Sequence, residues 1–251
     1  LPPPRRHVDF TPAGWLLDLG NTNLKLITPE GELLVHPRTD LGGISLSGFA
    51  QSNLPLAAGW ARREDEELIA GLAHQLTTGP VYALTPRATL PFRIHYRAGQ
   101  PGADRLANLL FLREAGPPAV AIDFGTATTF TVCDPQGDFA GGAILPGTGL
   151  QFLALHQGTN GRLPLYEAPQ GSIAPVGDST QGAIEAGVML GHAGAVDRLL
   201  EEYRHALGPS LRCFATGGTA PQILHHLRSA VEVMPHLTLR GLNSFLASQG
   251  S

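Results

Sequence analysis

The feature that most limits how this chain can fold is a turn that it uses twice. Asp18-Leu19-Gly20-Asn21-Thr22 and Asp123-Phe124-Gly125-Thr126-Ala127-Thr128 each close an apolar run, about one small domain apart. Each predicts a strand ending in a carboxylate, then a glycine that permits a tight turn, then small hydroxyl or amide residues opening a returning strand. Such a turn suits a triphosphate. Glycine lets backbone N–H groups approach phosphate oxygens, Thr and Asn add donors, and the Asp is placed to hold Mg²⁺ directly or through water. A single Asp-x-Gly is also an ordinary hairpin turn. Two copies at equivalent places predict a duplicated fold with a nucleotide gripped between its lobes.

The 251 residues accommodate one large domain or two of ordinary size, and the repeat favours two. With 43% hydrophobic and 15% charged residues the chain reads as globular, and 31 Gly and 21 Pro imply many tight turns between short elements. A net charge of -4, with no basic cluster beyond Arg62-Arg63, argues against nucleic acid or an anionic membrane as the main partner. A polyanion must then be held by backbone amides, metal and a few placed cations. Cys133 and Cys213 show no disulfide or metal spacing, so a reducing cytoplasm is the expected setting. No apolar run approaches the ~18 residues of a membrane helix. The histidines, His225-His226 among them, suggest no metal cluster.

Residues 1–13 read as a flexible extension, 14–117 as an N-terminal lobe and 118–251 as a C-terminal lobe, with Gly116-Pro117-Pro118 at the boundary. In the first lobe, strands are predicted at 15–18, 24–28, 33–36, 81–84 and 92–96, and helices at 64–76 and from Gly102 to about 112. In the second, strands are predicted at 119–123, 128–133, 138–145, 212–215 and 231–234. Helices are predicted at 180–207, 221–227 and 239–247. Gly182, Gly187, Gly191 and Gly194 interrupt the first of these and read as a packing seam, between helices or between subunits.

Several strings together resemble the type III pantothenate kinases, of the acetate kinase, sugar kinase, Hsp70 and actin superfamily. Asp18-x-Gly20-Asn21-Thr22 resembles their first phosphate motif, Gly102-Ala103-Asp104-Arg105 their pantothenate motif, and Asp123-x-Gly125-Thr126-Ala127-x-Thr129 their second phosphate motif. Gly141-Gly142 through Pro146-Gly147, Thr159 with Leu163-Pro164, Thr180 through Gly187, and Thr216-Gly217-Gly218 follow in family order. The resemblance covers nearly the whole chain, and Gly-Ala-Asp-Arg is its discriminating string. It implies an α/β protein of two similar ribonuclease H-like lobes, the actin-like ATPase fold, with a central cleft.

The implied activity is phosphorylation of pantothenate by ATP, the entry step of coenzyme A biosynthesis, using Mg²⁺ and a monovalent cation, K⁺ or NH₄⁺. Asp18 is the candidate Mg²⁺ carboxylate, with Gly20, Asn21 and Thr22 beside it to meet phosphate oxygens. Lys25 adds a cation or is a surface lysine, since alternation from Thr22 gives it the opposite face. Asp104 resembles the general base for the pantothenate hydroxyl, although an Asp at a helix start also satisfies exposed N–H groups. Arg105 has a fork suited to the pantothenate carboxylate, or is a surface arginine.

Gly102, Ala103 and Tyr96 complete the acceptor motif, although Pro101 abuts Gly102 here and shortens the family's loop. Asp123 is implied as the monovalent-cation ligand. Gly125, Thr126 and Thr128 form the opposite jaw on the phosphates, and Thr216, Gly217 and Gly218 approach the adenosine. Gly142 and Pro146-Gly147 read as a turn flanking the acceptor pocket, with Ile144 as an apolar wall. Thr180 resembles a residue that the partner subunit lends to the pantothenate pocket, which implies a homodimer, and Ser179 replaces a common Asn as a helix cap. Two other readings stay open: a kinase of another small hydroxylated acceptor, and a nucleotide-binding accessory protein of the same fold.

Overall fold

A computed structural model describes residues 6–44, 46, 48–169 and 171–250. Its contacts divide the chain into two units, Leu1–Ala115 with His236–Ser251, and Gly116–Pro235. The C-terminal helix therefore belongs with the first unit, not with the second as the 118–251 division has it.

The first unit is built on a six-stranded sheet. Its strands are β1 (Arg6–His7), β2 (Trp15–Leu19), β3 (Asn23–Ile27), β4 (Glu32–Pro37), β5 (Leu56–Trp60) and β6 (Val81–Ala83), in the order β1-β4-β3-β2-β5-β6. β2, β3 and β4 form an antiparallel meander, whereas β5 and β6 run parallel to β2. Every side chain of β2 is buried, because helices cover both faces. One face carries Leu17, Leu19, Leu24 and Leu26 against α1 (Glu66–Leu76), through Ile69, Leu72 and Leu76. The other carries Leu16, Ile27 and Ala57 against α2 (Ala103–Ala115) and α7 (Leu237–Ser248), through Leu106, Leu110, Leu239 and Leu242. Gly241 makes this helix pair possible: a Cβ there would run into the Ala107 backbone.

The second unit repeats the plan. Its strands β7 (Ala119–Phe124), β8 (Ala127–Cys133), β9 (Phe139–Gly141), β10 (Ile144–Pro146), β11 (Arg212–Thr216) and β12 (Glu232–Val233) take the order β10-β8-β7-β11-β12, with β9 also on β8. As in the first unit, an antiparallel hairpin leads into two parallel strands. The helices are α3 (Thr148–Gly158), α4 (Thr180–Glu185), α5 (Gly191–Leu207) and α6 (Ala220–Leu224). Phe124, Phe130, Phe152, Val188, Val196 and Leu200 form its core.

Several expectations change. The predicted strand 92–96 forms no strand of either sheet: Ile94 makes a single β-bridge, and Phe92 and Ile94 alternate inward onto the core beside α2, so its two-residue period records mainly burial. The predicted strand 138–145 breaks into β9 and β10, because Gly141 and Gly142 adopt φ of 120° and 144° between them. Of the expected extension, residues 1–5 lie outside the described residues. Arg6–His7 pairs with β4, and Asp9 forms an ion pair with Arg240 of α7, so this stretch is part of the first unit.

Helix 180–207 runs continuously, with one π turn at Ala186–Leu190 around Gly187. Of its glycines only Gly182 meets a close approach within the chain, packing against Gly177, whereas a Cβ at Gly187, Gly191 or Gly194 would meet nothing within 4 Å. Two elements carry no sequence signal. β5 is Leu-Ala-Ala-Gly-Trp, without a β-branched residue, and α3 buries only Thr148 and Phe152 and so has no apolar stripe.

Candidate functional site

In the first unit the Asp18 turn and the Gly102–Arg105 string meet at one corner. Asp18 is 8% exposed at the end of β2. In register it stands between Lys25 on β3 and Gly59 on β5, so all three share the face that α2 covers. Lys25 thus lies on the carboxylate's side of the sheet, not on a free outer face. A Cβ on Gly59 would lie 3.2 Å from the Ala103 Cβ, so the missing side chain is what lets the start of α2 settle beside Asp18.

Asp104, half-buried in the first turn of α2, turns its carboxylate back over Gly102, where a Cβ would stand 2.5 Å from Oδ1. The glycine keeps that carboxylate in place. Arg105 is buried, donates from Nη1 to the Tyr96 hydroxyl and lies 5.6 Å from the Tyr96 ring centroid. Tyr96 therefore keeps its place beside Arg105 despite the shortened loop.

The turn after Asp18 is closed by Gly20 N donating to Asn23 O at 2.9 Å, which leaves Asn21 and Thr22 exposed at the tip. It is held from outside by a residue that no motif marks. Arg38 N donates to Thr22 O at 2.8 Å, Arg38 Nη1 donates to Gly20 O at 3.0 Å, and the same guanidinium pairs in a fork with Asp65, at 3.0 and 2.5 Å. The two side chains are 13% and 6% exposed, so water screens this pair little. Arg62, just past β5, reaches Asn21 Oδ1 at 3.5 Å.

In the second unit the Asp123 turn and the 216–218 turn lie against each other. Thr216 is the parallel register partner of Asp123, as Gly59 is of Asp18. Gly217 adopts φ of 103°, and a Cβ there would collide with the Phe124 backbone and stand 2.6 Å from Asp123 Oδ1. Thr219 donates from N and Oγ1 to Phe124 O, at 3.1 and 2.9 Å. Gly125 N closes its own turn on Ala127 O at 3.1 Å, leaving Thr126 exposed and Gly218 open.

Thr128, expected on the phosphates, is 1% exposed with its hydroxyl 3.0 Å from His192 Nε2. The Pro146-Gly147 turn serves this hairpin: Gly147 N donates to Thr126 O at 3.0 Å, and a Cβ on Gly147 would stand 2.5 Å from that oxygen. Ile144 is 63% exposed. Thr180 opens α4 behind Ser179, whose hydroxyl caps the helix by accepting from Gly182 N at 3.1 Å. It lines an apolar groove of about 780 Å³ with Leu155, Leu163, Ile184 and Val188.

Comparison with known proteins gives the family. The family description "Type III pantothenate kinase" matches residues 56–202. The type III pantothenate kinase of Roseiflexus castenholzii is 33% identical over 256 residues, an alignment spanning 90% of this chain and 95% of that one. The chain belongs to the type III pantothenate kinase family. Another type III pantothenate kinase, from Porphyromonas gingivalis, is 40% identical over 162 residues, covering 62% of this chain and 65% of its own.

Among solved structures, a Campylobacter jejuni protein assigned to the Baf family of transcriptional activators superposes with a TM-score of 0.66 at 18% identity, covering 94% of this chain and 98% of its own. An archaeal actin homolog superposes at 0.51 and 12% identity, over 94% of this chain and all of its own. At such identities these likenesses speak for the fold alone, and the fold is the actin-like one. Among the described residues of this pantothenate kinase family member, no helix is long and apolar enough to cross a membrane.

What the motifs missed is the outer support of each turn. Arg38, Asp65, Gln151 and His192 sit in no short string and are far from their Asp-x-Gly turns in sequence, so only the tertiary fold brings them there.

Proposed function

We propose that this chain transfers the γ-phosphoryl group of ATP to the primary hydroxyl of pantothenate, the first step of coenzyme A biosynthesis. The observation that carries the residue assignments is the corner where Gly59 admits Ala103, so that Asp18 and the Asp104 helix start share one face of one sheet. A kinase needs a metal-holding carboxylate and an acceptor-facing base near each other, and catalysis is then mainly positioning.

In this reading Asp104 accepts the hydroxyl proton as the pantothenate oxygen attacks the γ-phosphorus and the bond to ADP breaks. Arg105, oriented by Tyr96, binds the pantothenate carboxylate, and Gly102 and Ala103 border it. Gly20, Asn21, Thr22 and Lys25 of the first unit meet phosphate oxygens, as do Gly125 and Thr126 of the second. Thr216, Gly217 and Gly218 pass close to the adenosine. Thr128 supports the hairpin from within.

A kinase of this family uses ATP with a divalent metal. The buried Asp18 carboxylate at a glycine turn suits Mg²⁺, which supplies charge neutralisation on the phosphates. Asp123 Oδ1 sits in a cradle cleared of side chains by Gly125 and Gly217, 3.9 and 2.6 Å from where their Cβ atoms would be, which suits a K⁺ or NH₄⁺ ion held by oxygen ligands. A second copy of the chain would cover the Thr180 groove. The apolar lining, the exposed Leu150 and Leu155, and the open glycine face of 187, 191 and 194 support that dimer. The setting we favour is the cytoplasm.

The test is direct. Protein incubated with ATP, Mg²⁺, K⁺ and pantothenate should yield phosphopantothenate by mass spectrometry. Asp104→Asn should lower turnover by about 10²–10⁴-fold, the range of general-base effects, with ATP affinity unchanged. Near-normal turnover in that variant removes the base.

A further inference from the structure

His192 is buried in α5, yet it touches three parts of the second phosphate turn's support. Its ring packs edge-on to Phe124, which lies between Asp123 and Gly125, at 6.3 Å between centroids. Nε2 is 3.0 Å from Thr128 Oγ1, and Thr128 is the cross-strand partner of Phe124. Nδ1 is 2.8 Å from Gln151 Nε2, and that amide nitrogen also lies 2.9 Å from Pro146 O.

These distances decide the tautomer. A carbonyl oxygen only accepts and an amide nitrogen only donates, so one Gln151 hydrogen goes to Pro146 O and the other to His192 Nδ1. Nδ1 is therefore without a proton, and a neutral ring must carry its hydrogen on Nε2 and donate it to Thr128 Oγ1. A second ring proton would face the Gln151 amide hydrogen. Burial also lowers the His192 pKa, which keeps the ring neutral. The relay thus reads Pro146 O, Gln151, His192, Thr128. Its two ends flank Gly125-Thr126: Thr128 is on the outgoing strand, and Gly147, next to Pro146, is pressed against the Thr126 carbonyl.

We propose that His192 is a positioning residue for nucleotide binding, which through Gln151 and Thr128 holds the Gly125-Thr126 turn in the shape that receives phosphate. This rests on the assignment of that turn to ATP. A merely space-filling histidine would tolerate any ring of similar size, whereas a relay needs an acceptor at one end and a donor at the other.

The experiment compares His192→Phe, which keeps the ring contact and removes both hydrogen bonds, with His192→Gln, which keeps an acceptor and a donor. His192→Phe should raise KM for ATP about tenfold, the scale of one or two net hydrogen bonds. KM for pantothenate should stay within about twofold, and His192→Gln should recover most of the loss. Should His192→Phe not fold, Gln151→Leu on the half-buried side of the relay should give the same ATP-specific change. Nitrogen NMR of the unsubstituted protein should show a neutral ring protonated on Nε2. Equal losses toward both substrates, an unchanged KM for ATP in both His192→Phe and Gln151→Leu, or a proton on Nδ1 overturns the proposal. If the unsubstituted protein itself binds no ATP, the phosphate assignment falls and this role falls with it. That failure is told apart because it precedes any substitution.

Discussion

The two Asp-x-Gly turns are alike in sequence and register, yet the molecule secures them by opposite means. The first is clamped by a charge: the Arg38 guanidinium, paired with Asp65, reaches the carbonyl of Gly20, and its own amide reaches that of Thr22. The second is clamped by absence of bulk and by neutral groups. Gly217 and Gly147 bring backbone against backbone, and His192 and Gln151 complete a relay without a formal charge. A turn meant for phosphate loses positive potential if its carboxylates are uncompensated. In the first unit the Arg38–Asp65 pair is internally balanced, so it fixes geometry and adds little net field. In the second, the described support is glycine close approach and the neutral Gln151–His192–Thr128 relay. Duplication thus fixed the position of the turns without fixing their support.

If this contrast is right, the two turns should fail differently. The largest effect belongs to Gly217→Ala. Its φ of 103° is strained for any L side chain, and the added methyl meets the Phe124 backbone, which has no flexible end to yield. Strain and overpacking together should cost about 2–5 kcal/mol, read by chemical denaturation. A loss below about 1 kcal/mol would show that the second turn has slack and that close approach is not its support.

Asp65→Ala should come next, at about 3 kcal/mol, because it leaves the Arg38 guanidinium buried and unpaired. The informative companion is Arg38→Met with Asp65→Leu. Replacing both partners by apolar groups should return most of the stability, since the pair's own net contribution is small after desolvation. The Gly20 carbonyl would still lose its donor. KM for ATP should therefore stay raised, by roughly tenfold for one charge-assisted hydrogen bond, in a protein that denatures normally. Normal KM for ATP in that double variant would break the comparison, because the pair would then serve stability alone.

How much of this could be read from the chain follows from where each signal is stored. Both turns, the Gly102–Arg105 helix start and the strand-then-helix repeat are local: the residues that make them are adjacent, and glycine, aspartate and apolar period suffice to mark them. Tyr96 was legible as part of the acceptor motif, although its strand was not formed and its partner is the buried Arg105. The supports were not legible, because Arg38, Asp65, Gln151 and His192 act across long stretches of sequence through strand order and helix packing. Gly59 was silent for another reason. In an alanine-rich strand a glycine carries no turn signal, and its meaning appears only when α2 is seen to rest on it. The family's motif marked Thr180 and spacing marked the glycines, but neither signal gave the apolar groove or the open face at 187, 191 and 194, which depend on how α3 and α4 pack.

The smallest expected effect concerns pH, and it probes the neutral relay alone. Each unit holds one histidine whose pKa is lowered: His192 by burial, and His236, ahead of α7, by burial first and then by Lys25, with Asp9 opposing. A folded-state pKa below the unfolded value of 6.5 means that the unfolded chain binds more protons as pH falls through that window. Stability is thus fully present above 6.5 and declines as acid brings pH toward the folded pKa values. Each such proton contributes a slope of up to about 1.4 kcal/mol per pH unit. His192→Gln removes one of the two groups while keeping the relay's donor and acceptor, so its denaturation midpoint should fall less steeply between pH 6.5 and 5 than that of the parent, with the His236 share remaining. The same slope in both proteins would mean that His192 takes up no proton on unfolding. The ring would then not be the neutral link that distinguishes the second turn from the ion-paired first.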